Sequence, residues 1–227
     1  MTSNQVVRWV LKPAVFVAAL VPVGLMGWWA YTGNLTADPL KEITHETGDW
    51  TIRFICITLA ITPLRRITGW NGAIKFRRMT GLYAFFYGSL HFLIYAIADR
   101  FASLVDFPQG IVSWDTADRW LASIWEDIAK RPYITVGFTA LLLMAPLAIT
   151  STTGWIRRLG GRRWNLLHRL IYATAVLAVI HYWWLVKADI RRPAMYGLVV
   201  AVLLGFRLWR LRERRPAPAA ARAAART

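Results

Sequence analysis

The stretch Met79–Ala98, MTGLYAFFYGSLHFLIYAIA, is 20 uncharged residues long and holds one histidine, His91. As a helix rising 1.5 Å per residue it covers about 30 Å, the hydrocarbon thickness of a bilayer. An ionisable side chain in such a segment is costly to bury and usually functional. The segment is entered through Arg77 and Arg78 and left through Asp99.

Five more apolar segments lie around it. Pro13–Ala37 is uncharged, and Trp50–Leu64 contains only Arg53. Pro132–Ile156 is 25 uncharged residues, and Trp164–Val186 is interrupted by Arg169. Pro193–Phe206 has 14 residues, short of the roughly 20 that a span needs unless Arg207 and Arg210 snorkel from its end. The expectation is an all-α integral membrane bundle of six transmembrane helices. A hydrophobic content of 56% and a mean hydropathy of +0.37 exclude a disordered chain, and 13 Trp suit interfacial belts.

Charge orients the bundle. Arg65, Arg66, Lys75, Arg77 and Arg78 fill the second connection, and Arg157, Arg158, Arg162 and Arg163 the fourth; both termini are basic. Eleven of the twelve carboxylates, from Asp38 to Asp189, fall in the other connections. The positive-inside rule then puts both termini in the cytoplasm. The net charge of +16 reads as topology and attraction to anionic lipid, not as nucleic-acid binding.

The first apolar stretch is too long for a signal-peptide core and no A-x-A site follows it, so it is read as a retained anchor. Residues 1–211 form one transmembrane domain. Residues 212–227, rich in Arg, Ala and Pro, form a basic cytoplasmic tail expected to be disordered. Cys56 stands alone, which leaves no intrachain disulfide and suits buried filler. The longest connection, Asp99–Arg131, mixes five carboxylates after Asp99 with Trp114, Trp120 and Trp125. It fits either an acidic docking surface or a short interfacial helix over Trp114–Ala129.

Depth ties the histidines together. His91 lies 8 residues before Asp99, and His181 lies 6 residues before Lys187. Both helices run outward, so the imidazoles sit about 12 Å and about 9 Å inside the same face. Two imidazoles facing each other in a helical bundle are what a haem iron needs as axial ligands. Gly88, one turn before His91, would let a flat macrocycle approach closely. His168 is 13 residues before His181, about 20 Å deeper. On an ideal helix the two point about 220° apart, so His168 serves a different flank or the helix is distorted. His45, in an external connection, is read as solvated or as lying over an outer haem. Arg53 near the outer end, and Arg77, Arg78 and Arg169 at the inner face, are candidates to neutralise haem propionates or a flavin phosphate.

These positions carry a resemblance. Ala37-Asp38-Pro39 with His45-Glu46-Thr47-Gly48, Ile61-Thr62-Pro63-Leu64, Arg77-Arg78-Met79-Thr80-Gly81-Leu82, Leu90-His91, Arg131-Pro132-Tyr133-Ile134-Thr135, Thr150-Ser151-Thr152, Trp164-Asn165-Leu166-Leu167-His168 and Ile180-His181-Tyr182 follow one another in a recognisable order. The chain resembles the ferric-reductase-like transmembrane family, which includes the NADPH-oxidase membrane domains. Within it, the chain is most similar to the haem-binding subunits of bacterial periplasmic methionine-sulfoxide reductases.

The resemblance implies a b-type cytochrome of the bacterial inner membrane, an electron-transfer subunit and not a catalytic one. It implies a cytoplasmic flavin reductase or quinol as donor and a periplasmic molybdopterin reductase as acceptor. Haem b is the implied cofactor, with FMN a further one. His91 and His181 match outer haem ligands and His168 an inner ligand. One departure stands out: the oxidases carry a second histidine 13 or 14 residues before the position of His91, where this chain has Arg78 and Arg77. A second haem, a flavin contact and a quinol contact all remain open for His168, while Met79 offers a thioether. No G-x-G-x-x-G follows a strand, so the donor is a separate protein or quinol. Two other readings compete: a ferric or oxygen reductase acting alone, and a histidine-relay proton transporter. Against the latter, the spans lack acidic residues.

Overall fold

In the computed structural model, residues 3–101, 114–186 and 188–213 are described. The 212–227 tail and the 102–113 part of the longest connection lie almost wholly outside them. Every element among the described residues is helical. A short lead-in, α1 (Ser3–Val6), passes through a π-helical turn into α2 (Lys12–Thr32). Then come α3 (Pro39–Thr68), a 3₁₀ turn (Asn71–Phe76), α4 (Arg77–Leu93) running on as a π-helix (Ile94–Phe101), and α5 (Trp114–Lys130). The series ends with α6 (Pro132–Ile149), α7 (Thr153–Leu167), α8 (Leu170–Leu185) and α9 (Arg191–Glu213).

Local sequence sets several boundaries. Gly33 closes α2 at φ 68° and Gly69 follows α3 at φ 71°, a left-handed conformation that other residues adopt at a cost. Asp38 caps α3, its carboxylate accepting from the Lys41 N–H at 3.1 Å, and Pro39 takes the first helical position, where a missing N–H costs nothing. Thr152 caps α7 in the same manner, accepting from the Trp155 N–H.

Among the described residues, four helical stretches are long and apolar enough to cross a membrane: Asn4–Thr32, Asn71–Ala98, Pro132–Ile149 and Arg191–Arg210. The pair α7–α8, bent by 42°, makes a fifth when taken as one broken span. Four differences from the sequence reading follow. The sixth apolar segment is part of a longer helix, because the chain stays helical through Arg207 and Arg210. The fourth segment stops at Ile149, short of Ile156, and Thr150-Ser151-Thr152 breaks the chain before α7. The fifth is not one straight helix: Trp164–Leu167 ends α7, and His168 with Arg169 forms the joint to α8. The second segment lies within α3, a helix of 30 residues that is not among those apolar enough by composition, since Asp49, Arg53, Arg65 and Arg66 lie along it.

Packing explains how α3 carries those charges. It packs most extensively against α4, as α6 does against α8, and α9 closes over α3 and α8. Ile55, Leu59, Ala84, Tyr87 and Ala175 are fully buried at the centre. Phe54 stacks on Tyr83 and Tyr87 with ring centres 5.4 and 5.5 Å apart. α2 is tied on by two hydroxyls: Tyr83 donates to the Phe16 carbonyl at 2.9 Å and Tyr87 to the Ala19 carbonyl at 2.7 Å. Outside, Phe16, Val17, Leu142, Leu198 and Val202 are exposed. An apolar exterior of this kind suits a lipid surround, not water.

Candidate functional site

The end of the bundle where α3 and α6 begin and α4 and α8 finish encloses a cavity of about 300 Å³. His91 on α4 and His181 on α8 both line it. Their ring centres are 6.1 Å apart and the ring planes lie at 82°. The helical rise thus matches their depth, as the sequence suggested, and the α3–α4 and α6–α8 packing brings the two rings close together with their planes nearly perpendicular.

Each ring is fixed through its Nδ1. His91 Nδ1 lies 2.8 Å from the Thr44 carbonyl and His181 Nδ1 lies 2.7 Å from the Tyr133 carbonyl. A carbonyl oxygen can only accept, so each Nδ1 carries the hydrogen and each neutral ring keeps its lone pair on Nε2. Histidines that bind metals are commonly held this way, with the second nitrogen donating to a fixed acceptor. Two glycines give the rings room. A Cβ at Gly137 would meet His181 Nδ1 at 2.6 Å, and a Cβ at Gly48 would meet His91 Nδ1 at 3.2 Å.

The spacing accommodates a metal centre. With nitrogen–metal distances of about 2.0–2.1 Å, the value for zinc, and about 1.1 Å from each nitrogen to its ring centre, two opposed imidazoles would have centres roughly 6.3 Å apart. Among the described residues no three His, Cys, Asp or Glu side chains converge on a possible metal position. Two imidazoles without further protein ligands suit an iron whose remaining ligands belong to a macrocycle. The apolar wall of Ile52, Ile55, Phe138, Leu141 and Met144 suits such a group.

The arginines distribute differently from the sequence candidates. Arg131 and Arg192 line the cavity, and sequence reasoning assigned neither a role. Arg192 meets Asp49 at 3.3 Å, and Arg131 meets Asp127 at 3.0 Å. The Arg131 guanidinium titrates above its usual value, first through its hydrogen bond to the Tyr133 hydroxyl and then through Asp127. Arg53 instead donates to the Tyr196 hydroxyl at 3.1 Å, reaches Asp49 at 3.5 Å and covers the Trp50 ring. Arg77 and Arg78 start α4, 14 and 13 residues before His91, and so lie about 20 Å away along that helix. Arg169 is exposed at the α7–α8 joint. Gly88 lines the cavity and also seats α4 against its neighbours, its Cβ position lying 3.0 Å from Met144 Cε and 3.4 Å from Thr51 Cγ2. His45, exposed on α3, lines the cavity too.

His168 does not line this cavity. Its ring stacks on Trp164 at 3.9 Å, and its Nε2 lies 3.2 Å from the Thr150 hydroxyl. That hydroxyl donates to the Pro146 carbonyl at 2.6 Å, so it accepts from His168 Nε2–H. Trp164 Nε1 closes the set by donating to the Thr150 carbonyl at 2.9 Å. The joint between α7 and α8 is thereby pinned to the end of α6. Arg77 lies within electrostatic reach of His168.

Residues 47–179 match the family described as ferric reductase like transmembrane component. A protein of Xanthomonas euvesicatoria pv. vesicatoria named protein-methionine-sulfoxide reductase heme-binding subunit MsrQ is 51% identical over 92% of this chain and 89% of its own length. The protein of the same name from Xanthomonas oryzae pv. oryzae is 49% identical over 96% of both chains. The one from Herminiimonas arsenicoxydans is 46% identical over 88% of this chain and 84% of its own. No solved structure matches the chain. Helical architecture, neighbouring histidines and end-to-end identity agree: the chain belongs to the ferric-reductase-like transmembrane family, in the branch formed by the MsrQ subunits.

Proposed function

We propose that the chain is a b-type membrane cytochrome. It carries electrons from a cytoplasmic flavin reductase or quinol across the bacterial inner membrane to a periplasmic molybdopterin reductase that repairs methionine sulfoxide. In that role it is an electron-transfer subunit and not the catalytic one. The observation that carries the reading is the His91–His181 pair, 6.1 Å between ring centres with both Nδ1 hydrogens committed to backbone carbonyls.

Haem b, if held by His91 and His181, would supply one-electron iron chemistry. The protein supplies the rest. The Thr44 and Tyr133 carbonyls set the tautomer and orientation of the two imidazoles. Gly48 and Gly137 let the rings sit close to α3 and α6. Much of the cavity wall is apolar, and Arg131 and Arg192 place positive charge on its lining.

The topology proposed with this function has six transmembrane helices, α2, α3, α4, α6, α8 and α9, with both termini cytoplasmic. α3 qualifies because its buried Asp49 is shared between Arg53 and Arg192, which lowers the cost of carrying charge into the membrane. The reading contains one haem b; FMN is not part of it. Purified protein should show the reduced-minus-oxidised bands of a six-coordinate b haem. His91→Ala and His181→Ala should each abolish them, and a spectrum that survives either change removes the ligand assignment.

A further inference from the structure

The opposite end of the bundle holds a charge problem that the proposed cytochrome function does not use. Arg207, on the last turns of α9, points inward. Its guanidinium donates to the Tyr172 hydroxyl, to the Thr62 hydroxyl at 3.2 Å and to the Leu59 carbonyl at 3.4 Å. It also lies over the Tyr172 ring at 4.7 Å. The side chain is therefore held between α3, α8 and α9, while its Nε is buried without a hydrogen-bond partner. Arg66, at the end of α3, and Arg77, at the start of α4, are both within electrostatic reach of it. Among the described residues no carboxylate lies within 4.0 Å of any of the three.

Three guanidiniums at one end of a bundle repel one another, and more strongly where one is half-buried. Every partner Arg207 has is neutral. By contrast, Arg53, Arg131 and Arg192 at the other end all meet carboxylates. A negative group from outside the described residues would balance this cluster. Guanidinium is the group best suited to grip a phosphate, through paired N–H donors in a plane. Basic pockets between membrane helices on the cytoplasmic side are where phospholipid headgroups bind.

We propose that Arg66, Arg77 and Arg207 form a binding site for a phosphate ester, with Arg207 as the fixed anchor and Arg66 and Arg77 as the flanking donors. The phosphate belongs either to an anionic phospholipid headgroup or to a soluble phosphate.

The test uses the full chain, purified with its cofactor and depleted of lipid in a neutral detergent. Thermal unfolding is followed in phosphatidylglycerol nanodiscs, in phosphatidylcholine nanodiscs, and in detergent with inorganic phosphate. Binding is expected to raise the midpoint, and Arg66→Gln with Arg77→Gln should weaken it roughly tenfold or more, the loss of charge-assisted hydrogen bonds. Arg207 is left intact because it ties three helices together. Arg157→Gln with Arg158→Gln, on α7 at the same end, is the control and should retain full stabilisation. Stabilisation by phosphatidylglycerol alone, lost in the first variant, establishes the lipid source; stabilisation by inorganic phosphate, lost likewise, establishes the soluble one. No stabilisation by either, an unchanged response in the first variant, or an equal loss in the control overturns the site.

Discussion

Gly137 lies against the ring of His181 so closely that a Cβ there would stand 2.6 Å from Nδ1 and 2.7 Å from Cε1. The ring cannot simply swing aside, because its Nδ1 is bonded to the Tyr133 carbonyl one turn earlier on the same helix as Gly137. Gly137→Ala should therefore displace the imidazole and break that bond, at a cost of about 1–3 kcal/mol for overpacking. Gly48→Ala, 3.2 Å from His91, asks its neighbour to give by only a few tenths of an ångström. The expected result is loss of the haem spectrum in Gly137→Ala and partial retention in Gly48→Ala, with helix content unchanged in both by circular dichroism. Equal spectra in the two variants would show that ring seating does not control the site.

Asp49 is the hub of the charged network at the cavity. Its side chain is 6% exposed, while Arg53 and Arg192 are 33% and 68% exposed. Asp49→Asn keeps the shape and removes the charge that both guanidiniums face. Water screens much of Arg192, so the loss should be about 1–2 kcal/mol, below that for a fully buried pair. The midpoint of thermal unfolding in detergent should fall by several degrees, and added salt should narrow the gap from the parent protein. A salt-independent difference would point to packing instead of charge.

How much of this was legible follows from where each signal resides. The depth match of His91 and His181 was readable because helical rise converts sequence distance into membrane depth. Their partners were not, since the Thr44 and Tyr133 acceptors are backbone carbonyls and carry no side-chain signature. Gly48 and Gly137 could have been found by asking which glycines share the histidines' depth on other helices. Arg131 and Arg192 were passed over because they stand at helix boundaries, the N-cap of α6 and the first turn of α9, and read as loop residues. Membrane-length apolar runs located α2, α4 and α6, but hydropathy is blind to a bend, so the joint at His168–Arg169 was drawn as one span. The geometric conflict between His168 and His181 on an ideal helix was the trace of that joint.

His168 offers a sharp separation of one haem from two. Its ring is stacked on Trp164, and its Nε2 is engaged with the Thr150 hydroxyl. A residue so held acts as a strut for the α7–α8 joint. His168→Ala should then lower stability by about 1–2 kcal/mol, for one hydrogen bond and one stacked pair, and leave the haem-to-protein ratio unchanged. A ratio that falls by half on pyridine-haemochrome assay would make His168 an iron ligand.

The attachment of α2 rests on few groups, which makes it a sensitive test of the bundle. The Tyr87 hydroxyl is fully buried and donates to the Ala19 carbonyl at 2.7 Å, while the Tyr83 hydroxyl donates to Phe16 three residues earlier. Tyr87→Phe leaves the stacking on Phe54 in place and orphans the lone pair of the Ala19 carbonyl that accepted it. That carbonyl also belongs to the helical ladder, so the cost should be near the ordinary value of about 1 kcal/mol per hydrogen bond. The double variant Tyr83→Phe/Tyr87→Phe should cost about twice as much and loosen α2 selectively. Hydrogen exchange in detergent should then accelerate across α2 while the amides around His91 and His181 stay protected. Exchange that rises equally in α2 and around the two histidines would mean that α2 is an integral part of the site's scaffold and not a helix docked onto it.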